Sequence, residues 1–179
     1  MGESYDATLT LWPASSLPAS VADELRQAGI DVGQLNMKDG SATLYRTSEG
    51  EVALELSCED SYYGITGLEP VLAQLRLAKI SYYAWDEGYH ECHPMGRSFD
   101  PRSGVETEFV VLPDGAPVLA LSDLAALEPF GSAEVLLAHL RERLRRPTPA
   151  FTDTVKAAEF TVAIRNDAEV AATAGGDRS

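Results

Sequence analysis

The chain has 179 residues, 45% of them apolar, with 28 acidic against 14 basic side chains and a net charge of −14. That apolar content is enough for a real core and excludes wholesale disorder, while an isoelectric point near 4.5 disfavours direct contact with nucleic-acid phosphates or anionic lipid. No apolar run approaches the roughly 18 residues of a membrane span, no basic-then-apolar leader opens the chain, and two cysteines cannot frame a disulfide scaffold; a cytoplasmic protein with reduced thiols is expected.

Residues 7–12 alternate and are rich in Thr and Leu, the pattern of a strand, and Pro13 closes it. A helix follows over 18–28, with Pro18 suited to its first turn, Val21, Leu25 and Ala28 on the helical period, and Gly29 as its stop. Residues 41–47 and 51–59 read as two strands of a hairpin joined by Ser48, Glu49 and Gly50. In the second strand Val52, Leu54, Leu56 and Cys58 share one face, leaving Glu51, Ala53, Glu55, Ser57 and Glu59 on the other. Thr66 and Glu69 have the spacing of a capping box ahead of an apolar stripe of Leu68, Val71, Leu72, Leu75 and Ala78. Residues 80–89 form an aromatic-rich strand. The order strand, helix, strand, strand, helix, strand predicts an α+β fold, the ferredoxin-like βαββαβ plait, with an antiparallel sheet and both helices on one face.

A turn-rich loop is predicted over 93–104, then an added hairpin of 105–112 and 116–121 across Pro113, Asp114 and Gly115. Ser122 is placed to cap a short helix and Ser132 a longer one, which Pro147 ends. Residues 151–164 fit either a helical turn over 152–158 or an edge strand over 159–164. The expected organisation is a single acidic domain over 1–146, a C-terminal extension over 147–165 packing on it, and a flexible tail over 166–179.

The acidic excess is concentrated. Residues 1–140 hold 22 acidic and 7 basic side chains, residues 141–146 reverse to a net of +3, and the rest return to −2. If the helices cover one face of the plait, Glu51, Glu55 and Glu59 line the open one, and Glu106 and Glu108 add a second acidic row. Asp60, Asp86, Glu87 and Glu91 extend that surface at strand ends. Carboxylates about 7 Å apart along a strand approach the spacing of phosphates along a nucleic acid, though solvated glutamates on an outer strand give the same pattern. Tyr83, Trp85 and Tyr89 stand beside these acids as anchors for an Arg-rich partner, or as core rings with wet hydroxyls.

His90 and Cys92 share a strand face, with Cys58 and His93 as further ligands in principle, but the spacing falls short of a zinc site, so neither a metal nor a cofactor is expected. Arg97 and Arg102 offer anion contacts or pairs for nearby acids. The nucleophile-elbow, phosphate-loop and zinc-protease motifs are all missing, which argues against an enzyme. Arg141 to Arg146 complement the dipole of a helix end, or clamp the acidic body of a second copy in a homodimer.

In general look, a small acidic α+β chain with a Trp/Tyr–Gly-rich central strand, the protein is similar, over residues 68–110, to accessory proteins of phages and plasmids. That resemblance implies a non-enzymatic inhibitor, a nucleic-acid mimic of the anti-restriction or anti-CRISPR kind, whose partner is a basic nucleic-acid-binding complex. The alternatives are a small metal protein or enzyme using the His90/Cys92 region, and a structural subunit whose acidity is incidental.

Overall fold

Three strands whose apolar residues alternate draw together at the middle of one sheet, and the rest of the chain is arranged around them. A computed structural model describes residues 5–30, 32, 42–61, 64–88, 93–119, 132–144, 147–155 and 162–166. In chain order the elements are β1 (Tyr5–Trp12), β2 (Ser16–Pro18), α1 (Ala19–Gln27), β3 (Ala42–Thr47), β4 (Val52–Ser61), a 3-10 turn (Gly64–Leu68), α2 (Glu69–Leu77), β5 (Ser81–Asp86), β6 (Met95–Asp100), β7 (Val105–Val110), α3 (Ala133–Leu144), β8 (Phe151–Thr154) and β9 (Ala163–Arg165). The fold is mixed α+β. Its main sheet has the order β7-β6-β5-β1-β4-β3-β8 with every adjacent pair antiparallel, and β2 and β9 form a separate parallel pair.

Residues directly opposite in an antiparallel pair lie on the same face. Leu9 stands opposite Leu56 and Ala84, and Leu11 opposite Leu54 and Tyr82. These six join Val52, Leu44 and Phe99 in one core with Val21, Ala22 and Leu25 of α1 and Val71, Leu72 and Leu75 of α2. The inward alternation of Val52, Leu54 and Leu56 is therefore as expected, while the Cys58 side chain lies outside the described residues. Gly50, at a φ of +83°, completes the turn between β3 and β4 in a conformation that other residues rarely adopt.

Two local expectations are corrected and two are met only in part. The capping box does not form: α2 starts at Glu69 without a side-chain cap, because the Glu69 carboxylate reaches Arg76 and Arg97 instead. The stretch read as a loop over 93–104 contains β6, which pairs with β5 and turns into β7. The polar, glycine-bearing sequence of β6 hides this strand. Gly96 suits the position because a Cβ there would overlap the Phe109 ring and lie 2.8 Å from Val111 Cγ1. The hairpin expected over 105–112 and 116–121 forms in part: Val111 bridges Pro117, the Leu112 amide donates to the Ala116 carbonyl at 2.8 Å and the Val118 amide to the Val110 carbonyl at 3.0 Å, and residues 120–121 lie outside the described residues. Near the C-terminus, residues 151–154 form β8, which extends the sheet beside β3 with the Phe151 ring stacked 4.5 Å from Tyr45, in place of the start of the expected helical turn; residues 163–164 of the expected edge strand fall in β9, paired with β2, and 156–161 lie outside the described residues.

The second sheet face is only partly open. Thr10, Ala53 and Tyr83 point to it by register, yet all three are buried. The Tyr83 ring stacks 5.6 Å from Phe109, and its hydroxyl donates to the Gly115 carbonyl. Residues 111–118 thus fold back over one part of a face that the two-helix arrangement alone would leave to solvent.

Leu54, with no exposed surface, sits at the centre of the core. Leu54→Ala is expected to lower stability by about 2–5 kcal/mol through lost burial and the cavity left behind. Urea unfolding should show a lower midpoint at unchanged slope.

Candidate partner-binding surface

The two acidic rows do not share a face. Register carries the inward side of the sheet from Leu9 through Ala84 and Arg97 to Glu108, and from Leu11 through Tyr82 and Phe99 to Glu106. Glu106 and Glu108 therefore lie on the core side, beyond the edge of the apolar cluster, and this corrects the expectation that they extend the row begun by Glu55. Arg76 of α2 donates to Glu106 at 2.7 Å and to Glu69, while Arg97 donates to Glu69 at 2.6 Å and to Glu108 at 2.8 Å. The buried Tyr82 hydroxyl donates to Glu106 and accepts from Arg76 at 3.0 Å. Isolated exposed pairs contribute only about 0.2–1 kcal/mol, but here two guanidiniums with about a quarter of their surface exposed bridge three carboxylates and tie α2 to β6 and β7.

This network fixes protonation states. Burial, reinforced by Glu106, raises the Tyr82 phenol well above its usual value. Burial opposes the charge of Arg76, yet Glu69, Tyr82 and Glu106 together hold it protonated above its ordinary range. Across the sheet, burial and then Glu55 raise Tyr45, whose hydroxyl donates to Glu55 at 3.3 Å. Glu55 also accepts from Thr10, at 3.5 Å, so its carboxylate is partly engaged within the face.

The other sequence candidates separate into surface and scaffold. Glu51 and Glu87 are exposed. Asp86 is scaffold: its carboxylate accepts from the backbone amides of Ile65 at 3.0 Å, Gly88 at 3.1 Å and Met95 at 3.2 Å, stitching the 3-10 turn to β5 and β6. Tyr83 is buried, and the half-buried Trp85 ring packs on Gly115, so neither stands out as a free anchor. Tyr89, Glu91, His90 and Cys92 lie outside the described residues, as do the side chains of Glu59 and Asp60. Arg141 is exposed on α3, and residues 145–146 fall outside the description.

What the sequence did not single out is a cleft. The strand ends that meet at Trp12, Ser81, Ser98 and Asp100 bound an open cavity of about 510 Å3, closed on its other sides by the Glu49–Glu51 turn and by Pro147, Thr148 and Pro149. Register places Trp12, Ser81 and Ser98 on the second sheet face, so the cleft occupies one end of that face. Asp100 Oδ1 accepts from the Arg102 amide at 2.9 Å, which shapes the β6–β7 turn, and the Arg102 guanidinium lies 3.7 Å from Glu49. Arg97 and Arg102 thus both meet acids. The available signal was Trp12 at a strand end against Pro13, but its neighbours in space come from positions up to 137 residues away in the chain.

Asp86→Ala would orphan three amides and is expected to destabilise the protein by about 2–4 kcal/mol, whereas Glu87→Ala should leave the urea midpoint unchanged. Stability should also fall as pH rises from about 10, since unfolded tyrosines ionise there while Tyr82 and Tyr45 remain protonated in the fold until their raised values are passed. Tyr82→Phe should flatten the fall in urea midpoint between pH 9 and pH 11 (roughly spanning the unfolded tyrosine value).

Among the described residues no helix is long and apolar enough to cross a membrane. Comparison with protein-family models, curated proteins and solved structures gives no match to this chain.

Proposed function

We propose that this chain is a non-enzymatic acidic binding protein that docks on a positively charged protein, at the surface where that partner holds nucleic acid. The supporting observation is how the charges pair. Arg26, Arg76, Arg97 and Arg102 each lie against carboxylates; Asp6, Glu51, Glu87, Asp100 and Asp153 are exposed and form no ion pair among the described residues, and the same holds for the cations Arg46, Lys79, Arg141 and Arg165. With 28 acidic against 14 basic side chains, the chain carries a net charge of −14, and the exposed unpaired carboxylates named here belong to that excess. Such a field attracts basic partners and repels nucleic acid itself.

On this reading the protein works in the cytoplasm as a nucleic-acid mimic, with an anti-restriction or anti-CRISPR effector as the class of target. The acidic surface differs from the one the sequence suggested: it is built from turns and strand ends rather than from two parallel rows. The order β5-β1-β4-β3, with α1 between β1 and β3 and α2 between β4 and β5, supports a ferredoxin-like plait as the scaffold, extended by β6 and β7 at one edge and β8 at the other.

Affinity purification from source cells, with nuclease present, should recover a nucleic-acid-binding protein. Raising salt from about 50 to 500 mM should weaken the purified complex by more than tenfold, mainly through slower association. Glu51→Gln alone should change affinity little. Reversing Glu51, Glu87 and Asp100 together to Lys should slow association strongly, and the partner's own DNA or RNA should compete. A complex insensitive both to salt and to the triple reversal would refute the reading.

A further inference from the structure

The cleft at the end of the sheet differs in kind from the surrounding acidic surface, because its walls bring an indole and four prolines together with carboxylates. Trp12 forms one side, and Pro13, Pro101, Pro147 and Pro149 hold the rim with little freedom to collapse. Its volume of about 510 Å3 lies within the roughly 300–1,000 Å3 usual for ligand pockets. Its charge is unbalanced. Three carboxylates, those of Glu49, Glu51 and Asp100, line the space with one cation, Arg102, which lies 3.7 Å from Glu49. An occupant must then be cationic, and it must gain from contact with an indole face. A guanidinium meets both demands: it stacks on aromatic rings, and it sheds water more easily than an ammonium.

We infer that this cleft is a socket for an arginine side chain presented by the basic partner, with Trp12 as the stacking surface and Glu51 and Asp100 as the counter-charges. The inference rests on the proposed function and sharpens it, since it replaces a diffuse acidic field with one desolvated contact. Buried, centrally placed Arg and Trp contacts carry most of the energy of many protein interfaces, while rim charges act mainly on association rate.

The direct probe is a blocked Ala-Arg-Ala peptide titrated into the full chain labelled with 5-fluorotryptophan, read by 19F NMR. The two tryptophan resonances are assigned with Trp85→Phe. The Trp12 resonance should shift saturably and that of Trp85 should stay in place. The citrulline peptide, of the same shape but neutral, should bind at least about tenfold more weakly, as expected for loss of a charge-assisted contact. The Glu51→Gln/Asp100→Asn variant keeps the acceptor for the Arg102 amide, and in it the arginine peptide should lose a similar factor. Equal shifts with the arginine and citrulline peptides, or no Trp12 shift at concentrations of about 10 mM (where even weak ligands register), would overturn the socket. If the whole partner still bound with strong salt dependence in that case, the acidic-binding reading would survive and only the socket would fall. A Trp12 shift of the expected specificity would uphold the socket even if no nucleic-acid-binding partner were recovered.

Discussion

One parity governs the molecule. In an antiparallel sheet each residue shares a face with its cross-strand neighbours, so the choice to bury Leu9 fixes Leu56 on one side and Ala84 on the other. The same choice then passes through Arg97 to Glu108 at the far edge. Inward-pointing carboxylates at that edge would be costly alone. Arg97, on the same face, and Arg76, reaching across from α2, answer them, and the charged network takes over where the apolar core ends. A hydrophobic centre and an ionic margin are two consequences of the same register.

The surface is acidic because the chain has 28 acidic against 14 basic side chains, and two of its arginines, Arg76 and Arg97, are engaged at this margin. Self-repulsion of this size opposes folding, and the large interdigitated core of Leu and Val side chains offsets it. The charge pattern and the core are therefore linked: a smaller core would not tolerate the surface.

Much of the central fold was legible in the chain. Strict alternation in residues 52–56 and the spacing of Val71, Leu72 and Leu75 each have one physical solution, and the structure adopts it. The misses share a cause. Whether Met95–Asp100 is a strand depends on the exposed edge of β5 and on the room that Gly96 leaves for Phe109, neither of which is encoded within six residues. Likewise, Thr66 and Glu69 satisfy a local capping rule, but Glu69 finds two arginines in space and the tertiary contact prevails. Glu106 looked like an outward residue because strand alternation gives two faces without saying which is which. Trp12 at a strand end against Pro13 was the one mark of the cleft, and it was not enough, since a cleft built from strand ends and turns is a property of topology and not of spacing.

The same cleft has a consequence for the order in which the protein becomes competent. Its walls come from residues 12–13, 49–51, 98–102 and 147–149, so the β-sheet core is translated well before the last wall exists. Chain synthesis proceeds from the N-terminus at roughly 5–20 residues per second, and domains fold as their segments emerge. A nascent chain can bury Leu9, Leu54 and Tyr82 while the cavity still stands open on the side of Pro147 and Pro149. The sheet core forms early and the last wall of the cleft late, which separates the moment of folding from the moment at which the cleft is complete.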